Sequence, residues 1–264
     1  MKNEIEFEKA VNVIWSEIKE QANDIAKNEV ALKSLVDDVV FSRNDLFEAV
    51  IARLTRRLSC GAIGATELYK SLSEVLNSKI KNAVVADFLA IKQRDPACKN
   101  FLMTLFYYKG FMAITTHRFA HELWNMGREN FASYLQSLSS EVFGVDIHPA
   151  ARFGEGILLD HATGFVAGET SVVENNVSIL HEVTLGGTGN ETGDRHPKIK
   201  SCVLIGAGAK IIGNITVGEG AKIGAGSVVL EDVAPHTTVA GVPAKIIGES
   251  ADQDPASAMN QYLS

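Results

Sequence analysis

A six-residue repeat in the second half of the chain constrains the fold more than any other feature. Apolar side chains recur every six residues, with Ser171 as the single exception in the first run. A helix, with a period of about 3.6, and a half-buried strand, with a period of about two, both fail to produce this spacing. A fixed short period indicates a parallel β-helix, in which each unit forms one flat side and three units form one coil. The repeated positions are Ile147, Phe153, Leu159, Phe165, Ser171, Val177 and Val183, then Ile205, Ile211, Val217, Ile223 and Val229.

The positions of the small residues in the second half of the chain also favour a β-helix. Glycine follows the repeated position at 154, 206, 218 and 224. Glycine permits the turn between two sides of a coil. Twelve units predict four coils, and the long interval from Val183 to Ile205 predicts that residues 189–204 leave the coil as a loop. A long charged loop on a regular solenoid is usually functional.

The first half of the chain predicts a different architecture, an α-helical domain. Apolar residues recur at helical spacing from Leu46 to Leu58, after Ser42 as a plausible N-cap. The fold class is therefore α + β: an α-helical oligomerisation domain (residues 1–142), then a left-handed parallel β-helix of hexapeptide repeats (143–248) and a flexible C-terminal tail (249–264). Further predicted helices are Asn82–Arg94, which must end near Pro96, then Phe101–Met126 and Phe131–Val142.

Composition and charge exclude several classes of partner. The net charge is −7, and residues 141–264 hold 15 acidic but only 7 basic side chains. This balance argues against nucleic acid as a partner. No apolar run approaches the ~18 residues of a membrane span, and the N-terminus has no signal-peptide pattern. The three cysteines form neither a disulfide nor a zinc pattern. The sequence predicts a cytoplasmic protein that binds neither nucleic acid nor membrane.

One histidine of the repeat half is a candidate general base. His161 stands two residues after the repeated Leu159, where a side chain leaves the coil, and Asp160 flanks it. An outward imidazole of this kind suits proton transfer near neutral pH. Asp146 is a candidate to orient it, whereas the corner position of His181 favours a packing role.

The helical half contains a histidine pair that could hold a metal ion. His117 and His121 stand four residues apart, so they share one helix face. The zinc-protease pattern also needs Glu directly after the first His, but Arg118 is there. A structural role is favoured, and no metal is expected in the protein.

The motifs together resemble a known family. The chain contains RDPAC, DIHPAARFGEGILLDHATGFVAGET, SILHEVTLGGTGNETGDRHPKI, IGAGAKI and HTTVAGVPAKI. From about Asp87 to Gly248 this pattern resembles bacterial serine O-acetyltransferases, hexapeptide-repeat enzymes that make O-acetylserine for cysteine synthesis. GVPAKI and the hexapeptides alone are shared by many acyltransferases, but DHATG and GDRHPKI behind a helical domain are far more specific.

The resemblance implies a role for each matching residue. His161 corresponds to the general base and Asp146 to the carboxylate that orients it. The implied substrate ligands are Asp95 and Asp160 for the serine ammonium, with Arg195 and His196 for its carboxylate. The resemblance also implies acetyl-CoA in a groove between neighbouring β-helices near Thr188, Ala207 and Lys222. It further implies feedback inhibition by cysteine, and a hexamer of two homotrimers.

The tail departs from the family pattern. Family members often end in a flexible tail whose final isoleucine inserts into the active site of O-acetylserine sulfhydrylase. This sequence ends ADQDPASAMNQYLS, a polar segment predicted to be disordered. Its terminal residue is not isoleucine, so the sequence leaves that partnership open.

Three other functions remain alternatives. An acetyltransferase acting on a sugar or antibiotic hydroxyl would not need Asp95 and Arg195 to hold a zwitterion. A metal-dependent β-helix enzyme of the carbonic anhydrase type would need a close histidine pair on one strand, and the repeat half has no His-x4-His. A catalytically silent scaffold would use the β-helix only to trimerise.

Overall fold

In the computed structural model, which describes residues 4–250 and 252–263, the first part of the chain is helical. A short 3-10 turn (Val30–Leu32) and a π turn (Asp37–Phe41) flank its second helix. The helices are α1 (Glu4–Asn28), α2 (Lys33–Val36), α3 (Leu46–Leu58), α4 (Ala65–Val75), α5 (Ser78–Arg94), α6 (Phe101–Tyr107), α7 (Lys109–Asn125) and α8 (Glu129–Phe143).

Side-chain caps set where several of these helices begin. Asp45, rather than the predicted Ser42, caps α3 and accepts hydrogen bonds from the amides of Phe47 and Glu48. Such a cap satisfies amides that have no partner inside the helix. The predicted helix Phe101–Met126 is two helices, because the backbone is extended at Tyr108 (φ −85°, ψ 98°).

The second part of the chain is a parallel β-helix with three sides. Its strands are β1 (Val145–Ile147), β2 (Arg152–Phe153), β3 (Leu158–Leu159), β4 (Phe165–Ala167), β5 (Val172–Val173), β6 (Ser178–Ile179), β7 (Thr184–Gly186), β8 (Lys198–Ile199), β9 (Leu204–Ile205), β10 (Lys210–Ile212), β11 (Thr216–Val217), β12 (Lys222–Ile223), β13 (Val228–Val229), β14 (Thr237–Gly241) and β15 (Ala244–Glu249). We call the sides sheet 1 (β1-β4-β7-β10-β13), sheet 2 (β2-β5-β8-β11) and sheet 3 (β3-β6-β9-β12-β14-β15). Only the β14–β15 pair is antiparallel among the described strands. The predicted fold class, a helical region followed by a parallel β-helix, is confirmed.

The β-helix has about five turns rather than the predicted four, and its register differs from the predicted one. After Leu159 the next equivalent strand position is Ala167, eight residues on, because Leu159 pairs with Ile179 across a coil of 20 residues. The two extra residues lie at a corner, where His161 and Ala162 adopt left-handed backbone angles (φ 56° and 58°). The predicted positions from Phe165 to Val183 therefore each lie two residues before the equivalent positions, which are Ala167, Val173, Ile179 and Leu185.

The extruded loop is shorter than residues 189–204. Strand β8 (Lys198–Ile199) and strand β9 (Leu204–Ile205) belong to the coil, so the loop spans residues 187–197 between β7 and β8. The prediction placed its end too late because it counted from Val183, which lies two residues before the true strand centre, Leu185.

A buried ion pair joins the helices to the β-helix. Asp87 of α5 is fully buried and accepts hydrogen bonds from two guanidinium nitrogens of Arg118 of α7 at 2.7–2.9 Å. Asp87 also accepts from the amide of Ile157, while Arg118 donates to the carbonyl of Gly154. Burial raises the pKa of Asp87 to about 6, and the positive charge of Arg118 opposes that rise. The pair therefore fixes both helices against the first coil.

Helix α7 approaches strand β3 too closely for any side chain. A Cβ added at Gly110 would lie 2.0 Å from the carbonyl oxygen of Leu159. Glycine is required where two backbones meet in this way. The contact places the start of α7 directly beside Asp160 and His161.

The C-terminal segment packs against the chain, in contrast to the expected disordered tail. Residues 255–258 form a short helix, α9 (Pro255–Ala258), with Pro255 and Ala256 buried. The hydroxyl of Ser178 donates to the carbonyl of Ala256 at 2.8 Å. Residues 251 and 264 of the predicted tail lie outside the described part of the chain. Within residues 4–250 and 252–263, no helix has the length and apolar character needed to cross a bilayer.

Candidate active site

The first group of predicted site residues lies at the corner between sheets 3 and 1, which we call corner 3–1. Asp160 and His161 follow strand β3 and precede strand β4, so they occupy this corner. The His161 side chain is 76% exposed, and its Nε2 lies 3.9 Å from Oδ1 of Asp160. The imidazole is therefore free to meet a substrate hydroxyl.

A cavity of about 390 Å³ connects this corner to the helical part. Asp95, which directly follows α5, lines it together with Asp160 and His161. The remaining lining residues are Ala97, Tyr107, Tyr108, Lys109, Gly110 and Leu159. The structure thus brings together two carboxylates and one imidazole that are distant in sequence.

A column of residues continues from His161 along corner 3–1. Strand pairing stacks His181 beside His161, then Ala207, then Ala225, one residue per coil. The rings of His161 and His181 meet edge to face, with their centroids 5.8 Å apart. Nδ1 of His181 is buried and has no hydrogen-bond partner among the described residues. His181 therefore packs against the candidate base, a contact that the sequence does not predict.

The second group lies at the corner between sheets 1 and 2, corner 1–2, where the extruded loop also emerges. Arg195 donates from its guanidinium to Glu169 at 2.6 Å and to the carbonyl of Gly193 at 2.9 Å. The hydroxyl of Thr170 accepts from the amides of Arg195 and His196 at 3.0 and 3.1 Å. These bonds fix the loop residues on the coil.

His196 has a defined orientation within this group. Its Nδ1 accepts a hydrogen bond from the amide of Thr170 at 3.2 Å, so the neutral ring carries its proton on Nε2. Burial and the charge of Arg195 lower the pKa of His196. Burial also lowers the pKa of His148, and this histidine interacts electrostatically with Glu169 and Arg195. Corner 1–2 therefore presents a fixed cation beside a neutral N–H donor.

Asp146 lies on strand β1 of sheet 1, between the two corners. Its carboxylate on β1 accepts a hydrogen bond from Gln136 at 2.6 Å and interacts electrostatically with His148. No hydrogen bond or ion pair joins Asp146 to His161 within the described chain. The predicted residues are thus divided: Asp95, Asp160 and His161 gather at corner 3–1, Arg195 and His196 lie at corner 1–2, and Asp146 lies on the strand between them.

The three predicted coenzyme residues are divided in the same way. Thr188 is exposed at the start of the loop on corner 1–2, whereas Ala207 lies on corner 3–1. Lys222 on β12 is buried, its ammonium donates to the carbonyl of Tyr262, and burial lowers its pKa. The C-terminal segment therefore covers the cation that the sequence assigns to a coenzyme phosphate.

Several neighbours of these residues were not predicted from the sequence. Glu169 and Thr170 hold Arg195 and His196, and Tyr108 lines the cavity beside Asp95. The GET motif around Glu169 carries no local sign of this role, because its partner stands 26 residues later. In the part of the chain that is described, no three His, Cys, Asp or Glu side chains group so as to hold a metal ion.

The fold and the site define a hexapeptide-repeat acyltransferase. Residues 196–231 match the bacterial transferase hexapeptide family, and residues 14–116 match the serine acetyltransferase N-terminal family. The serine acetyltransferase of Escherichia coli K12 is 47% identical over 255 residues, which cover 96% of this chain and 93% of that protein. The chain belongs to the serine acetyltransferase family.

Solved structures of related proteins carry ligands. Brucella abortus serine acetyltransferase in complex with coenzyme A is 51% identical, with a TM-score of 0.89 over 90% of this chain and 96% of that chain. Soybean serine acetyltransferase complexed with serine is 49% identical, with a TM-score of 0.87 over 90% and 99%. A serine acetyltransferase complex with cysteine is 47% identical, with a TM-score of 0.92 over 95% and 98%.

Proposed function

We propose that this protein transfers the acetyl group of acetyl-CoA to the hydroxyl of L-serine, giving O-acetylserine and CoA, the first step of cysteine synthesis. The observation that carries the proposal is the division of charge between the two corners. Asp95 and Asp160 stand beside an exposed imidazole, and Arg195 and His196 form the opposite half of a zwitterion site. The related structures with serine and coenzyme A support the same pair of substrates.

The complete site forms between two copies of the chain. Corners 3–1 and 1–2 lie on different edges of one β-helix, so neither alone offers both charges to one serine molecule. Three copies around a threefold axis bring corner 3–1 of each copy against corner 1–2 of the next. We therefore propose a homotrimer with three shared sites, and two trimers joined through the helical parts as a hexamer.

His161 acts as the general base in this site. It takes the proton from the serine hydroxyl as that oxygen attacks the acetyl carbon, and a well-placed base contributes about 10²–10⁴ in rate. Asp146, which faces the His148 side of corner 1–2, reaches His161 from the neighbouring copy and orients the ring. Its carboxylate also stabilises the imidazolium that forms.

Opposite charges hold the serine molecule. Asp95 and Asp160 bind the ammonium, while Arg195 and the Nε2–H of His196 bind the carboxylate through charge-assisted hydrogen bonds. Fixing the acceptor at both ends places its hydroxyl next to the imidazole, and such orientation supplies a large part of the rate.

The column of small residues fits the pantetheine arm of acetyl-CoA, which supplies the acetyl group as a thioester. A Cβ at Gly206 would lie 2.6 Å from the amide nitrogen of Ala225, so glycine is needed for the two coils to stack this closely beside the column. Ala207 would line the arm, with Thr188 of the neighbouring copy opposite it. Lys222 would bind a phosphate once Tyr262 releases it.

His181, next to His161 in the column, is the ring donor best placed to stabilise the oxyanion that develops during attack.

Cysteine binds the same subsites in this proposal. Its ammonium and carboxylate match those of serine, but its thiol replaces the attacking hydroxyl. The related structure with cysteine supports feedback inhibition by this route. The partnership with O-acetylserine sulfhydrylase and the cytoplasmic location stay predictions.

A direct assay tests the function. We expect the protein to release CoA from acetyl-CoA when L-serine is added, and cysteine to suppress the release competitively with serine. Release with a sugar hydroxyl but not with serine would favour the acetyltransferase of different specificity. Absence of release with every acceptor, together with retained CoA binding, would favour the silent scaffold.

Replacing Gly168 with alanine tests the carboxylate half. A Cβ at this position would lie 1.9 Å from Nε2 of His196, so the ring must move. We expect Gly168→Ala to raise the KM for serine by ~10-fold or more, because small displacements of a positioning group are costly. The KM for acetyl-CoA changes far less. Gly61→Ala is the control, since open space surrounds Gly61; equal effects of the two substitutions on serine would contradict the prediction.

A further inference from the structure

Tyr108 is a polar side chain of the cavity that has no role in the mechanism above. Tyr108 lies in the extended link between α6 and α7 and lines the cavity with Asp95, Asp160 and His161. The other tyrosine of the cavity, Tyr107, is mostly exposed, whereas Tyr108 is half-buried and packs against the core.

The Asp95 carboxylate needs a second support. Asp95 directly follows the last turn of α5, and its Oδ1 accepts a hydrogen bond from the amide of Ala97 at 2.8 Å. A carboxylate held through one oxygen can still turn about its side-chain bonds. The hydroxyl of Tyr108 lies in the same cavity as this carboxylate and interacts with it.

The backbone of Tyr108 is itself well fixed. Its carbonyl accepts from the amide of Met112 in the first turn of α7 at 3.2 Å. Two residues later, Gly110 abuts the carbonyl of Leu159, the residue before Asp160. Tyr108 is therefore anchored to the same strand end that carries Asp160 and His161.

Burial and the nearby carboxylates keep the Tyr108 hydroxyl protonated, so it remains a hydrogen-bond donor. Burial and the interactions with the carboxylates of Asp95 and Asp160 raise the pKa of Tyr108 well above its ordinary value. The phenol therefore remains protonated throughout the neutral range. A protonated phenol has one hydrogen to donate, and a neighbouring carboxylate oxygen is an acceptor for it.

We propose that Tyr108 is a positioning residue for the serine ammonium: its hydroxyl holds the Asp95 carboxylate toward the cavity. The inference rests on the proposed function, because it assigns Asp95 to the ammonium of an amino acid acceptor. Tyr108 itself neither transfers a proton nor contacts the thioester. Its effect is confined to binding steps that use Asp95.

Tyr108→Phe in the full-length protein tests the inference. Removal of a hydrogen bond to a charged group costs about tenfold in binding. We expect the KM for serine and the inhibition constant of cysteine to rise together by ~5–10-fold, because both ligands carry the same ammonium. The kcat and the KM for acetyl-CoA stay within about twofold of wild type. Tyr69→Phe is the control and leaves all four constants unchanged, because Tyr69 of α4 packs beside Arg43, outside the cavity.

A double substitution separates positioning from a general structural role. In an Asp95→Asn background the hydroxyl has no carboxylate to hold, so adding Tyr108→Phe changes the KM for serine little further. A full additional loss there, or a fall in kcat without a change in KM, would overturn the inference. Unchanged serine and cysteine constants in Tyr108→Phe would overturn it too. A wild-type protein that does not acetylate serine would instead refute the proposed function.

Discussion

His161→Asn is expected to lower kcat by ~10²–10⁴ while the protein keeps its fold and oligomeric state, because the site loses its general base. Asparagine suits this position, since it tolerates the left-handed backbone that His161 adopts (φ 56°). The side chain is mostly exposed, so its removal leaves no cavity in the core. The measurement is steady-state CoA release with serine, together with size-exclusion chromatography.

His236→Asn is the matched control for that variant. His236 is also exposed and also left-handed (φ 52°), but it lies in a turn far along the coil from β3. We expect its kcat to equal that of wild type. If both variants lost activity equally, or if His161→Asn dissociated or unfolded, the role of His161 would be structural.

The second large effect concerns stability. Arg118→Met is expected to lower the free energy of unfolding by ~3–5 kcal/mol, because it leaves Asp87 buried without its counter-charge. Asp87 is fully buried, and the methionine also withdraws the donor from the carbonyl of Gly154. The measurement is denaturant unfolding at matched protein concentration, with Arg128→Met, an exposed arginine, as the control.

The pH dependence of this deficit identifies its cause. Loss of Arg118 removes the charge that opposes the effect of burial, so the pKa of Asp87 rises further from about 6. Below that pKa the folded variant holds a proton that the unfolded chain releases, so folding is favoured as the pH falls. The deficit relative to wild type is therefore smaller at pH 5 than at pH 8. A deficit that does not change with pH would show that lost packing, not the ion pair, is responsible.

The repeat was predictable because its contacts recur along the chain. Each six-residue unit packs against equivalent units one coil away, so the same apolar position recurs in every turn of the β-helix. The register of the repeat was not predictable, because the two extra residues at His161 and Ala162 do not interrupt the six-residue pattern of apolar side chains. The polar Ser171 in the predicted series was the one sign of the shift.

The site residues were predicted through motifs, but their arrangement was not. DHATG and GDRHPKI predict the roles that we propose for His161 and Arg195, whereas the corner that each occupies depends on counting sides through the irregular coils. The ion pair between Asp87 and Arg118 was not predictable, because it forms only where helices α5 and α7 pack together. The packing of the polar tail was not predictable from composition, because Ser178 contacts the backbone carbonyl of Ala256 rather than a side chain.

The central claim is that each active site is shared between two copies of the chain, and co-expression of two defective variants tests it most directly. His161→Asn damages only corner 3–1, and Arg195→Ala damages only corner 1–2. When equal amounts of the two variants assemble at random, about a quarter of all sites combine an intact corner 3–1 from one variant with an intact corner 1–2 from the other.

We therefore predict that co-expression of these variants restores about a quarter of wild-type serine acetylation, well above either variant alone. Co-expression of His161→Asn with Asp160→Ala is the control, because both damage the same corner and no intact site can form. Recovery only in the first mixture supports the shared site. Verified mixed trimers that show no recovery would contradict it and place the whole site within one copy.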